Sequence, residues 1–419
     1  MFEFREADVK EAGAFGAANG IFWQTAEWAK FRSVFRPVGF VGTENGKTVL
    51  SCVMLLLPTY LTRWSVGYIP RGFVCDYTNR PLVTAFTEYL KAYLKKRHVA
   101  YVVTDPQCDY RVNFEVCETD TRALLEGLGY ERNNGPMLNP RTNYRLPVGI
   151  LPDAEEEKKR LYSHFSKRLQ GNISTTLARG VTVERCRGDR LPEAVEEFYR
   201  LLTVTTEMKG FGRRTGDYYR RMARDLAPYV TIYLYWYHRD ADLARLEPEI
   251  AALEKRMTEL CRELDAPETP QPRKDRVEKE RRETEKQLVA ARKHRDIAAK
   301  LPEQVCISAH FFLHAGKQTY VLFGGNDPLM RGLKLTSTYW DMICDTVDAG
   351  AEVFNMGGTL KLDSEDVRQD SEYNLYQYKK QYDGELSEMP GEYFLVENRR
   401  MFRLLEYKLR YFRRVVFRF

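Results

Sequence analysis

Apolar and polar positions change their period several times along the chain, and each change predicts an element. Residues 38–41 and 48–57 are rich in β-branched and apolar side chains and read as strands, as do 100–104, ending at Asp105-Pro106, and 142–146. Helices are predicted over 22–34, with Thr25 near the start, over 81–97, and over 121–128, closed by Gly129. A second unit of the same kind begins near Pro152. It opens with a basic helix over 161–179 and a strand over 181–184, then a helix over 191–206 and a loop over 207–216. A helix from Asp217 and an aromatic strand over 230–237 follow. The pattern resumes with strands 304–313 and 319–323, a helix 335–348 and a strand 353–356. Strands alternating with helices in this way argue for layered α/β or α+β domains.

Between the halves of the second unit lies a segment of another period. Leu243, Leu246, Ile250, Leu253, Met257, Leu260 and Leu264 recur at spacings of three and four, the seam of a coiled-coil helix. Residues 266–272, with three prolines, break it. A second helix over 274–299 returns through Val277, Thr284, Leu288, Ala291 and Ala298. The expectation is an antiparallel hairpin with arms of roughly 35 Å at about 1.5 Å per residue, starting or kinking at Pro248. The chain therefore divides into 1–150, a second domain of 151–237 with 301–419, and an inserted arm at 238–300.

Composition narrows the class. Hydrophobic residues are 43% of 419, enough for a sizeable core, and the net charge of +6 is a mild excess that suits phosphate-bearing partners without specifying them. Eight cysteines form no CxxC pair, so reduced thiols of a cytoplasmic protein are the simpler reading. The N-terminus lacks the pattern of a signal peptide. The longest apolar run, 49–57, is too short to span a bilayer, so any membrane contact is peripheral. No GxxxxGK[ST], GxSxG or HExxH signature is present, and the six histidines show no ligand spacing, so neither metal nor cofactor is implied. Gly324-Gly325 and Gly357-Gly358, just after strands, read as tight turns.

Ordered motifs take the reading further. Phe22-Trp23-Gln24-Thr25-Ala26-Glu27-Trp28-Ala29-Lys30 resembles the Q-S-x-x-W signature of the Fem family of peptidoglycan-bridge aminoacyltransferases. Tyr68-Ile69-Pro70-Arg71-Gly72-Phe73-Val74-Cys75-Asp76-Tyr77 is similar to that family's YIPRGPVxDY segment, and Asp105-Pro106 to its strand-end D-P. Lys167-Arg168-Leu169-Gln170-Gly171-Asn172-Ile173 with Ala178-Arg179-Gly180-Val181 resembles its K-x-R-x-x-I…A-x-x-x-G-V run. Phe354-Asn355-Met356-Gly357-Gly358 resembles its Y-D-x-G-G. Tyr376-Gln377-Tyr378-Lys379-Lys380-Gln381-Tyr382-Asp383-Gly384 resembles its L-Y-x-F-K-x-x-F-G-G.

The resemblance implies an α+β fold of two tandem GNAT-like acyltransferase domains with the helical hairpin inserted in the second. It implies an aminoacyl-tRNA donor and a peptidoglycan precursor as acceptor, either lipid II or a UDP-MurNAc-peptide. A coenzyme A site would want a glycine-rich R/Q-x-x-G-x-G/A turn, which Arg331-Gly332-Leu333-Lys334 does not match, so an ordinary acetyltransferase is disfavoured. The reaction is then aminolysis of an ester, whose tetrahedral oxyanion needs a nearby positive group.

By the same resemblance Lys379 supplies that charge, the alternative being a solvated lysine like Lys380. Asp105 contacts substrate and holds or deprotonates the acceptor amine, the alternative being a strand-to-turn residue. Lys30 and Arg214 resemble the phosphate-binding positions, and Tyr218 lies four residues after Arg214. Arg71 and Tyr378, inside matched segments, count with the substrate contacts. Met208-Lys209-Gly210-Phe211 replaces the family's R-D-x-F, so Arg213 and Arg214 can exchange roles, and Asn355 stands where aspartate is usual. The stretch 399–419 reads as a basic amphipathic helix for a membrane surface or RNA, or as a docked terminal helix. The hairpin is a strut or dimerisation arm, or a prong that steers tRNA; its surface carries both signs. The competing functions are an acyltransferase acting on another amine and a non-catalytic coiled-coil adaptor.

Overall fold

Two mixed sheets carry the chain. In this computed structural model the described residues are 1–59, 62–210, 212–336, 338–362, 366–408 and 410–413. Each sheet is built by the same succession. The first runs from strand Phe2–Ala7 through helices Val9–Ala18 and Ala26–Phe31 to antiparallel strands Arg36–Glu44, Lys47–Pro58 and Ser65–Ile69. Helix Arg80–Arg97 then returns the chain to Val99–Thr104, which lies parallel to Ser65–Ile69. The second repeats this with strand Val181–Cys186, helices Leu191–Lys209 and Gly216–Asp225, and antiparallel strands Val230–His238, Gln304–Ala315 and Gln318–Asn326. Helix Trp340–Asp348 leads to the parallel strand Val353–Gly358. This is the expected α+β pair of tandem acyltransferase-like modules.

The inserted arm replaces one turn. In the first module Arg36–Glu44 and Lys47–Pro58 are joined by Asn45 and Gly46, at φ 51° and 77°, a tight hairpin turn. The second-module counterpart carries helices Arg239–Asp265 and Gln271–Ala298 instead. Leu246, Ile250 and Leu260 are buried along one arm, and Val277, Thr284, Leu288, Ala291 and Ala298 along the other, as the seam spacing predicts. At 27 and 28 residues the helices are each about 40 Å long. Pro248 does not start the first one, which begins nine residues earlier at Arg239.

The sheets exchange strands across the expected domain boundaries. Thr142–Pro147, within 1–150, pairs in the second sheet between Val353–Gly358 and Glu385–Glu388. Tyr393–Val396, from the far end of the chain, pairs in the first between Val99–Thr104 and Tyr130–Arg132. Strand pattern marks the strands but not their partners, because pairing over such separations is a tertiary choice.

Several helices are shorter than predicted. The span 22–34 is a turn of 3-10 helix at Phe22–Gln24 followed by Ala26–Phe31, because the Thr25 hydroxyl accepts from the Trp28 amide and starts a new helix. The span 161–179 divides into Ala154–His164 and Lys167–Ala178, the Ser166 hydroxyl capping the second at the Leu169 amide. The helix over 335–348 begins only at Trp340. The C-terminal stretch is helical over Arg399–Phe402, widens to π-helical turns over Arg403–Lys408, and turns again at 411–413; Leu409 and 414–419 lie outside the described residues. Phe402, Leu405 and Phe412 are buried, and Arg413 turns inward to ion pairs with Glu392 and Glu406. Among the described residues no helix is long and apolar enough to cross a membrane. All eight cysteines are free thiols.

Candidate active site

The two parallel pairs differ, and the difference makes a site. In the first module pairing runs from Ser65 with Val99 to Ile69 with Thr104. In the second it covers only Gln318 with Val353 to Tyr320 with Asn355. A register shift against Gln304–Ala315 sets Phe311 opposite Phe323 and Phe312 opposite Val321, leaving Leu322 as a bulge. A bulge bends its strand and ends regular pairing. Beyond Tyr320 and Asn355 the parallel pairing has a gap, and residues 321–323 and 356–358 there line cavities. Two cavities, of about 370 and about 430 Å³, meet at this gap and share Val321, Leu322, Phe323, Gly357 and Gly358 as a common wall.

Lys379 sits in the wall of the 430 Å³ cavity, on helix Tyr373–Lys380, with 2% of its surface exposed. Its Nζ donates to the carbonyls of Met356, Gly357 and Gly358 at 2.8, 3.1 and 2.7 Å. Three acceptors match the three protons of an ammonium. Burial pulls its pKa down to about 7, with Glu372 opposing. The glycine pair read as a tight turn is therefore the strand end whose carbonyls hold this cation. The turn reading of Gly324-Gly325 is also replaced, since both lie within strand Gln318–Asn326. There a Cβ on Gly325 would stand 2.4 Å from the backbone of Leu201, where helix Leu191–Lys209 crosses the sheet. A Cβ on Gly324 would stand 2.8 Å from Nδ1 of His310, a cavity-lining ring that burial holds near pKa 4 and hence neutral. Tyr378 lines the same cavity and shares a hydroxyl hydrogen bond of 3.0 Å with Tyr382.

The 370 Å³ cavity lies between the modules and is aromatic and cationic. Trp23, Trp28, Tyr68 and Arg71 come from the first, and Arg214, Tyr218, Tyr320 and Asn355 from the second. The Arg214 guanidinium stands 5.3 Å from the Tyr218 ring, and Arg71 5.3 Å from that of Trp23. Arg32 also lines it, over Trp28 and Phe35 at 5.9 and 5.5 Å. Burial lowers the Arg32 pKa, Tyr218 and Tyr68 oppose, and Arg214 and Arg221 add to the lowering, so several guanidiniums share one field. Such a cluster in low dielectric favours an anion held by several donors.

Not every anticipated residue reaches the cavities. Lys30 is exposed on helix Ala26–Phe31 and lines neither, whereas Arg32, one turn after Trp28, lines the first. The i,i+4 spacing of Trp28 and Arg32 was the signal available in the sequence. Asp105 is buried and lines neither of these two cavities. It accepts from the Arg71 amide at 2.9 Å and from Asn139 Nδ2 at 2.8 Å, and meets the Arg71 guanidinium at 3.4 Å. Burial raises its pKa and Arg71 opposes the rise. Arg213 turns toward Glu207 at 3.5 Å and the Tyr199 ring at 5.8 Å, so it is Arg214 that reaches the cavity; Phe211 lies outside the described residues. Asn355 Oδ1 accepts from the Gly357 amide at 2.8 Å and so shapes the carbonyl cradle.

Comparison with known proteins covers most of the chain. The model of the FemAB family matches residues 9–408. Lipid II:glycine glycyltransferases of Staphylococcus aureus strains MSSA476 and USA300 are 25% identical over 362 residues, covering 82% of this chain and 80% of theirs. The crystal structure of FemX aligns with a TM-score of 0.69 at 20% identity, over 96% of this chain and 100% of that one, and shows the shared fold.

Proposed function

The chain belongs to the FemAB family, and from that premise we propose that it moves an aminoacyl group from tRNA to the stem-peptide amine of a peptidoglycan precursor. The observation that carries this reading is the buried Lys379 ammonium, held at the gap between an aromatic, arginine-lined cavity and a second one. The diphosphate of the precursor lies against Arg32, Arg71 and Arg214, with the tryptophan and tyrosine rings beside the sugar. Its peptide amine crosses the shared wall to the donor ester in the Lys379 cavity.

The amine nitrogen attacks the ester carbonyl carbon, and the carbonyl oxygen becomes an oxyanion. Lys379 turns one N–H from a backbone carbonyl to that oxygen and neutralises it. As the intermediate collapses, the amide bond is complete, the ester C–O bond breaks, and the amine's proton leaves with the ribose oxygen. No enzyme nucleophile is required, because the ester is already activated. Asp105 acts by holding Arg71 and Asn139, the cavity wall, in place. The glycine of the curated relatives makes glycyl-tRNA the first donor to try, and their lipid II the first acceptor, which this protein would meet at the cytoplasmic membrane surface.

The test is incubation of purified protein with labelled aminoacyl-tRNAs, glycyl-tRNA first, and either lipid II or UDP-MurNAc-pentapeptide. Label should move to one precursor and be absent without it. Free amino acid from the tRNA with no labelled precursor would remove the reading.

A further inference from the structure

The described residues of 399–413 have two unlike faces. The inner one is apolar: Phe402, Leu405 and Phe412 are buried in one cluster with Phe35, Tyr68 and Tyr101 of the first module. The one carboxylate of the stretch is also turned inward, since Glu406 accepts from the Tyr101 hydroxyl at 3.0 Å and pairs with Arg413. The outer face keeps the rest. Arg400, Arg403 and Arg410 are exposed, and none has an ion pair among the described residues. Leu404 and Tyr407 stand among them with 40% and 68% of their surface in solvent.

A neighbouring loop extends this outer face. The Tyr411 hydroxyl donates to the Pro58 carbonyl at 2.9 Å, and the Thr59 amide to the Trp64 carbonyl at 3.2 Å. Half-buried Trp64 packs on the same apolar cluster. Arg63, just before it, is exposed and again has no ion pair among the described residues.

The face borders the acceptor cavity. Phe412 packs at 5.4 Å on Tyr68, which lines that cavity. It also stands 6.4 Å from Phe35, the ring that the Arg32 guanidinium approaches at 5.5 Å. Arg410 precedes Phe412 by two residues, at most about 7 Å of chain. A diphosphate held at Arg32 therefore lies beside the outer face.

We propose that this face rests on an anionic bilayer, with Leu404 and Tyr407 at the boundary of headgroups and acyl chains and Arg63, Arg400, Arg403 and Arg410 on lipid phosphates. The inference rests on the precursor proposed above as acceptor, commits to its membrane-linked form, and adds how the cavity meets it. Apolar side chains ringed by cations are what an interfacial segment presents, and tyrosine and tryptophan suit the headgroup level. An RNA backbone would satisfy the arginines but not an exposed leucine. A second copy would set these unbalanced cations against their own kind.

The test uses the full chain and vesicles of phosphatidylglycerol with phosphatidylcholine, or of phosphatidylcholine alone, with binding read by co-sedimentation. Two paired variants are compared, Arg400→Gln with Arg403→Gln and Leu404→Ser with Tyr407→Ser. All four side chains are exposed, and circular dichroism checks the fold. The arginine pair should weaken binding to the anionic vesicles about thirtyfold, roughly fivefold for each charge removed. The apolar pair should weaken it about tenfold. In both, the KM for lipid II carried in vesicles should rise while that for UDP-MurNAc-pentapeptide stays.

Anionic-vesicle binding within twofold of wild type in both pairs would overturn the proposal. So would a loss confined to deacylated tRNA, or to a wild-type dimer in sedimentation velocity, with vesicle binding kept. If the wild type transfers to neither precursor yet both pairs lose the vesicles, the face stands and the transfer reading falls. If lipid II is used and both pairs bind vesicles as the wild type does, only the face falls.

Discussion

Asp105 accepts a 2.9 Å hydrogen bond from the backbone amide of Arg71, and its second oxygen faces the guanidinium of the same residue at 3.4 Å. One carboxylate thereby fixes both ends of an arginine whose φ is +59°, a backbone conformation rare for a side chain of this size. Asp105→Asn should therefore act through Arg71. The KM for the diphosphate-bearing acceptor should rise about tenfold with kcat nearly kept, read by steady-state kinetics. A general base at this position would instead lower kcat by about 10²–10⁴. Asp105→Ala, which leaves a buried guanidinium uncompensated, should destabilise the fold by about 3–5 kcal/mol in denaturant titration.

Lys379 predicts a pH signature. Its pKa is lowered to about 7, so the ammonium fraction falls as pH rises above that value. The reactive neutral fraction of the acceptor amine rises tenfold per pH unit below its own pKa. The product of the two fractions makes kcat/KM climb up to about pH 7 and level off above it. Lys379→Arg, charged at every accessible pH, should remove the plateau. Lys379→Met should lower kcat by about 10²–10³. A plateau that persists in the arginine variant would assign it to another group.

Arg32 and Lys30 separate motif from position. Arg32 is buried against Trp28 and Phe35 in the cavity wall, and Lys30 is exposed. Hydrogen bonds to charged groups contribute about 1.5–3 kcal/mol, so Arg32→Met should weaken acceptor binding by about ten- to a hundredfold. Lys30→Met should do less, and isothermal titration with the soluble UDP-linked precursor measures both.

Arg413 supports the same wall from the other side. It bridges buried Glu392 and Glu406, and Glu392 also accepts from the Leu138 amide at 2.9 Å, next to Asn139 in the cavity lining. Phe412 packs on the cavity tyrosine Tyr68 at 5.4 Å. Arg413→Met should lower stability by about 3–5 kcal/mol and raise acceptor KM, while tRNA affinity stays as in the wild type. Thermal melts and the two binding assays check each part.

The arm and the strands were legible in the sequence because each depends on local periodicity, and the ordered motifs were legible by resemblance. A coiled-coil seam such as Leu246, Ile250 and Leu260 repeats within one helix, and a β-rich run such as 48–57 declares itself without its partner. The segment holding Lys379 was legible by resemblance. Other features were not. The sequence shows no sign that Tyr393–Val396 joins the first sheet, that Leu322 bulges, or that the parallel pair opens after Tyr320. It misled on Gly324-Gly325, since a glycine pair looks alike in a turn and beneath a crossing helix. Asp242 and His294, 52 residues apart, meet only when the arm folds back. Which residues form helices, strands and seam was written in nearest-neighbour spacing. Which of them face one cavity was decided by pairing across long loops, where the entropy of closure is repaid only by contacts that no local pattern encodes.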